Sequence, residues 1–166
     1  KKSISMEKGG KGYWEITTGD ISDNTRYLYR LNGEKERPDP ASHFQPEGVH
    51  GPSQVTDHDS FRWEDSGWNG IPISAMTIYE LHTGTFTPEG TFKAIIPRLD
   101  ELKDIGIKTL EIMPIAQFPG ERNWGYDGAY PFAVQNSYGG PTGFKCLVNE
   151  CHKRGIAVIL DVVYNH

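Results

Sequence analysis

The sequence predicts a chain in two parts: a β-rich, loop-rich region over residues 1–70, then a βαβαβ run that builds a parallel sheet covered by helices. Three observations carry that prediction. Residues that favour β structure cluster in short runs between turn residues near the N-terminus. Nearly continuous apolar strands alternate with amphipathic helices from Thr77 onward. The 19 Gly and 11 Pro in 166 residues exceed the usual combined share of about 12%. A chain of this length holds one ordinary domain or two small ones and leaves no room for a complete large enzyme barrel.

Taken in order, Tyr13–Thr17 and Thr25–Leu31 read as the two strands of an antiparallel hairpin, separated by Gly19, Asp20, Ser22, Asp23 and Asn24. Beyond Asn32-Gly33, Glu34–Asp59 is crowded with Pro, Gly and polar groups and follows neither helical nor strand periodicity. Phe44, Val49, Phe61, Trp63 and Trp68 are too many apolar groups for a disordered linker, so this is an irregular but packed connector. Thr77–Leu81 is an apolar strand. Phe92, Ile95, Ile96, Leu99, Leu102 and Ile105 then recur at the spacing of one helical face, stopped by Gly106. Pro97 conflicts with that pattern, because it removes a backbone donor and crowds the preceding turn; the helix either starts near it or kinks there. Lys108–Met113 is a second strand, and Phe144, Leu147, Val148 and Cys151 mark a second helix stopped by Gly155. Ile156–Val163 is a third strand. An open doubly wound sheet and a closed barrel both satisfy this order.

A net charge of −5 leaves no basic surface to neutralise a run of phosphates, so nucleic acid is not expected as a partner. The longest apolar runs fall far short of the roughly 18–20 residues of a membrane span, and Lys1–Lys11 lacks the apolar core of a signal peptide, so no membrane partner is expected. Cys146 and Cys151 lie five apart on one helix, about 140° from each other around its axis. That argues against a disulfide between them and for a reducing, cytoplasmic setting. His43, His50, His58, His82 and His152 lack metal-ligand spacing, and neither a phosphate loop nor a Gly-x-Ser-x-Gly elbow occurs, so no metal or cofactor is expected. Lys1 at the start and His166 directly after an apolar run make both ends read as cut.

Ligands of parallel α/β folds meet the loops that follow the carboxyl ends of the strands. Between Met113 and Thr142 about 28 residues connect strand to helix, where two to six are usual. This connection carries Phe118, Trp124, Tyr126, Tyr130, Phe132 and Tyr138 among Arg122, Asn123 and Asp127. Such flat faces and polar edges suit sugar rings; equally, the aromatics could pack the loop onto the sheet. At the third strand's end, Asp161 and Val163 point to one face and Val162 to the other until the strand breaks near Asn165. Asp161 reads either as a ligand-binding carboxylate or as a buried brace between loops, and His166 as a group in contact with ligand.

Three segments then match a known pattern: Ile78-Tyr79-Glu80-Leu81-His82-Thr83-Gly84-Thr85-Phe86, Trp124-Gly125-Tyr126-Asp127-Gly128-Ala129-Tyr130 and Asp161-Val162-Val163-Tyr164-Asn165-His166. Together they resemble glycoside hydrolase family 13, the α-amylase superfamily. Arg37–Ser42, Gln45–Ser53 and Pro114–Gly120 are similar to its trehalose-releasing branch rather than to branching or debranching members, and Pro97 departs from the ordinary helix former found there. The resemblance implies a partial immunoglobulin-like β-sandwich followed by the first three β/α units of a (β/α)8 TIM barrel. Residues 1–70 would be the C-terminal part of the sandwich with its linker, and residues 71–166 the first part of the barrel, so the chain reads as an internal fragment. The implied reaction is retaining hydrolysis of the α-1,4 bond next to the trehalose end of maltooligosyltrehalose, with this or another α-glucan as partner. It uses two carboxylates about 5 Å apart. The family places both, and a third carboxylate, after later strands, so no catalytic residue is expected in this chain. By resemblance Tyr126 stacks under the sugar at the cleavage subsite and His166 hydrogen-bonds that sugar. Asp161 is a structural carboxylate, and Asn165 matches an Asn that ligates calcium in many amylases, an ion the trehalose-releasing members need not use.

Overall fold

A computed structural model describes residues 2–19 and 21–165. Its N-terminal strands are short: β1 (Glu7–Lys8), β2 (Trp14–Glu15), β3 (Arg26–Tyr27), β4 (Tyr29–Leu31), β5 (Lys35–Arg37) and β6 (Ser53–Gln54). The hairpin expected between Tyr13–Thr17 and Thr25–Leu31 does not form. Instead β2 folds back on β1, with Lys8 opposite Trp14, and the second run divides at Leu28 between two partners. Its β3 half pairs with β6, and its β4 half pairs with β5. The reason is local chain reversal. Asn32 and Gly33, at φ 52° and 77°, turn the chain directly after β4, and closing so short a loop costs less entropy than reaching back across residues 18–24. Two strands therefore lie inside the stretch expected to be irregular. Elsewhere the connector buries Ser42, Gln45 and Ser53, whereas of the apolar groups expected to pack it Phe44, Val49, Phe61 and Trp68 are half-buried and Trp63 is exposed.

The second part starts with β7 (Ile78–Leu81), followed by a single helical turn, α1 (Thr83–Phe86), that the sequence pattern did not predict. The long helical pattern is divided into α2 (Phe92–Ile95), a 3₁₀ turn at Ile96–Arg98 and α3 (Leu99–Asp104). Thr91 caps α2 by accepting from the Ala94 N–H at 3.3 Å. Helix precedes Pro97 as α2, so it does not start there; the α-helical ladder gives way to the 3₁₀ turn instead, since Pro offers no N–H to it. Phe92, Ile95, Leu99 and Leu102 are buried, but Ile105 is 73% exposed. It caps the end of α3, ahead of Gly106, and turns off the face the spacing assigned to it.

Next come β8 (Thr109–Ile112), the short strands β9 (Ala116–Gln117) and β10 (Tyr130–Val134), α4 (Gly140–Lys153) and β11 (Ala157–Leu160). Strands β7, β8 and β11 form a parallel sheet in the order β11-β8-β7, with Leu81, Ile112 and Leu160 level at one end. Helices α2 and α4 pack together through Phe92 and Phe144, their ring centroids 5.3 Å apart, and Leu110, Ile112, Leu147 and Ile156 complete a dry core. Both cysteines are free thiols, and burial pushes Cys151 up to about 12. The connector continues as a strap over the outer side of α4. Glu64 N–H donates to the buried Asn149 Oδ1 at 2.8 Å, His152 Nδ1 meets Asp65 at 2.6 Å, and Trp68 stacks on the His152 ring at 4.6 Å.

Candidate functional site

The level ends of Leu81, Ile112 and Leu160 are the carboxyl ends of the three parallel strands, so the segments leaving them converge on one face of the sheet. Met113 N–H donates to Leu81 O and Asp161 N–H to Ile112 O, each at 3.0 Å, which keeps these segments side by side just past the strands. Strand β11 itself is shorter than expected and stops at Leu160, while past it Asp161 and Val163 are half-buried and Val162 is exposed.

The long connection is folded rather than loose. Strands β9 and β10 pair antiparallel around a bulge, with Tyr130 opposite Gln117 and Val134 opposite Ala116. Two fully buried amides lock the pair in place. Gln135 accepts from the Phe118 N–H at 3.0 Å and donates to Gly120 O at 3.1 Å and Ser137 Oγ at 2.9 Å. Gln117 accepts from the Asn136 N–H at 2.9 Å and donates to Phe118 O at 3.0 Å. The connector is tied to the same unit: Tyr130 OH donates to Val49 O at 2.7 Å, and Asn136 Nδ2 to Pro46 O at 3.1 Å. Nothing in the pattern of residues marked these glutamines, because an amide buried by tertiary contacts looks in sequence like any surface Gln.

The aromatics of this connection divide between the two roles open to them. Phe118, Tyr130 and Tyr138 are buried and pack the loop; Trp124, Tyr126 and Phe132 are exposed. Tyr126 follows Gly125, whose φ is 103° and where a Cβ would lie 2.5 Å from Pro114 O. Only glycine allows this approach, and it seats the tip of the loop against the end of β8. Asn123 holds the bend by accepting from the Gly125 N–H at 2.7 Å and donating to Asp127 at 2.9 Å. From the end of β7, His82 reaches Asn123 O at 2.7 Å.

A groove of about 130 Å³ runs between the segments after β8 and β11, lined by Pro114, Gly125, Phe132, Asp161, Val162 and Tyr164 among others. Asp161 and Gly125 thus come together at one opening, while Tyr126, exposed beside Gly125, lies outside the groove lining. Asp161 is half-buried and lines this groove. Asn165 is exposed and outside the groove lining. His166 lies outside the described residues. Among the described residues no three His, Cys, Asp or Glu side chains gather as a metal site, and no helix is long and apolar enough to cross a membrane. A larger cavity of about 230 Å³ lies away from the strand ends, where Asp23, Asn24 and Gln54 face Pro141 and Lys145.

The model of the alpha amylase catalytic domain matches residues 52–166. The chain belongs to the α-amylase family. Within that family it is 56% identical, over 97% of its length, to a malto-oligosyltrehalose trehalohydrolase of Saccharolobus solfataricus, and it spans 28% of that relative. A crystal structure of a proposed alpha amylase from Salmonella typhimurium superposes with a TM-score of 0.94 at 43% identity, covering 97% of this chain and 28% of the other. A pullulanase from an Anoxybacillus species, solved with maltotetraose, superposes with a TM-score of 0.80 at 26% identity, covering 97% of this chain and 29% of the other. The groove opens at the carboxyl ends of the three parallel strands, the end at which α/β barrels generally carry their ligands.

Proposed function

We propose that the protein acts in cleaving the α-1,4 bond next to the trehalose end of maltooligosyltrehalose, releasing trehalose. The observation that carries this reading is the 56% identity to a malto-oligosyltrehalose trehalohydrolase over nearly the whole chain. In this reading residues 1–70 are the end of an immunoglobulin-like β-sandwich with its linker, residues 71–166 are the first three units of a (β/α)8 barrel, and the enzyme works in the cytoplasm. The chain supplies the substrate cradle. Tyr126 stacks its ring under the sugar at the cleaved bond, His166 hydrogen-bonds the same sugar, and Asp161 and Asn165 support the strand end between them.

Hydrolysis with retention needs a carboxylate nucleophile and a carboxylic acid about 5 Å apart on opposite sides of the bond. In this reading both belong to strands beyond residue 166. What Tyr126 contributes is a flat apolar face against the ring, which orients the scissile bond and excludes water from one side. The test is product analysis with the full-length gene product and maltooligosyltrehalose. Free trehalose is expected; branched glucan, or no trehalose, overturns the reading. The 166-residue chain alone should release none, because a catalytic set loses nearly all its rate when its members are missing.

A further inference from the structure

The segment leaving β7 holds an arrangement that the substrate cradle does not account for. His82 Nε2 lies 2.7 Å from Asn123 O. A carbonyl only accepts, so Nε2 must carry the proton, and Nδ1 is then the ring's acceptor. Thr85, three residues on in α1, places its hydroxyl 3.0 Å from that Nδ1 and fixes the tautomer by donating to it. Tyr138 OH, 3.1 Å from Nε2 and 3.4 Å from Asn123 O, cannot donate to a protonated nitrogen and so donates to the carbonyl. Burial pushes its phenol up to about 12, which keeps it a donor. Two donors from separate elements therefore converge on one backbone oxygen.

Space for the pair is reserved as well. A Cβ on Gly84 would lie 3.0 Å from the His82 ring and 3.1 Å from the Tyr138 ring. The Trp124 ring packs against that of His82 at a tilt, their centroids 5.1 Å apart. Asn123 is in turn the residue whose side chain holds Gly125 and Asp127 on either side of Tyr126.

We infer that His82 is a positioning residue: its Nε2–H holds Asn123 O, and through Asn123 it sets where the exposed Tyr126 ring stands beside Gly125. The clamp stands on geometry alone; its effect on turnover rests on the trehalose-releasing reading above. The experiment uses the full-length gene product and two readouts. The first is tryptic cleavage at Arg122, the residue next to the clamped carbonyl, which reports the loop whatever the enzyme does. The second is steady-state kinetics on maltooligosyltrehalose.

His82→Phe keeps a ring and removes the donor; it should speed cleavage at Arg122 roughly tenfold and raise KM by a similar factor, with kcat changed less than about twofold. His82→Gln puts an amide N–H near the Nε2 position and should restore both to within about threefold. Thr85→Val removes only the tautomer-fixing donor from an exposed side chain and should shift both readouts the same way by a smaller factor, so the clamp is tested even if His82→Phe does not fold. Unchanged cleavage at Arg122 in every variant that folds, or a His82→Gln protein no better than His82→Phe, overturns the clamp. Altered cleavage in a protein that releases no trehalose overturns the functional reading and leaves the clamp in place.

Discussion

The strap over α4 and the long connection beneath the groove are both irregular chain pressed onto the same α/β unit, yet they are held by opposite means. Besides one backbone bond to Asn149, the strap uses side-chain polar contacts at the surface of α4: Lys153 bonds Glu64 at 3.0 Å, and His152 meets Asp65. The connection uses neutral amides in a dry interior, Gln117 and Gln135 above all. Exposed ion pairs are weak and screened, so they cover a helix without fixing anything to a fraction of an ångström. Buried amides are costly to leave unpaired and so permit one arrangement. In the proposed function, the part that places a side chain for a ligand is built the second way.

Removing the amide that does most in the interior should separate the two regions furthest. Gln135→Ala orphans the Phe118 N–H, Gly120 O and Ser137 Oγ together, and a loss of about 2–4 kcal/mol is expected in chemical denaturation, with little dependence on salt. A loss under about 1 kcal/mol would mean that the connection is held by its aromatics rather than its amides.

Exchanging one ring from each region sharpens the contrast from stability to function. In the full-length gene product Tyr126→Ala should lower kcat/KM at least tenfold with a small effect on the thermal midpoint, because its ring is exposed and, in the proposed function, stacks under the sugar. Trp68→Ala should do the reverse, lowering the midpoint by loss of its stack on His152 and sparing kcat/KM. Kinetics in the opposite order at equal folded fraction would misplace the site.

A smaller effect is expected from the strap's ion pair. Glu64→Gln removes the carboxylate that Lys153 bonds and should lower the thermal midpoint slightly at low salt, an effect that shrinks as salt is added. Equal losses at low and high salt would show that the strap is held by packing.

The least effect belongs to pH. The hydrogen bonds from Lys153 and then Arg154 hold the Glu150 carboxyl below the ordinary carboxylate range, and Lys153 does the same for Glu64. A carboxylate whose folded value is depressed stabilises the fold fully above its unfolded value, about 4.3, and that contribution disappears as pH falls through the folded value. Trp68 fluorescence should therefore change on acidification below about pH 4, while Cys151 stays as unreactive to thiol reagents as at neutral pH. Simultaneous exposure of both would merge the two regions into one cooperative unit.

Much of this was legible in the residues. The βαβαβ order, the buried faces of α2, α3 and α4 and the interruption at Pro97 follow from apolar periodicity and from proline's missing donor, both properties of the local chain. Composition excluded a basic surface, and the segments around His82, Tyr126 and Asp161 pointed to the end of the sheet where they in fact converge. The partners of β2, β3 and β4 were not legible, because short strands choose among several edges and the cheapest chain reversal decides. Nor were Gln117, Gln135 and the His82–Asn123 contact. Their roles depend on which polar atoms meet once water is gone, and residues 41 apart in sequence become hydrogen-bond partners only when β7 and the tip of the long connection are packed against the same sheet.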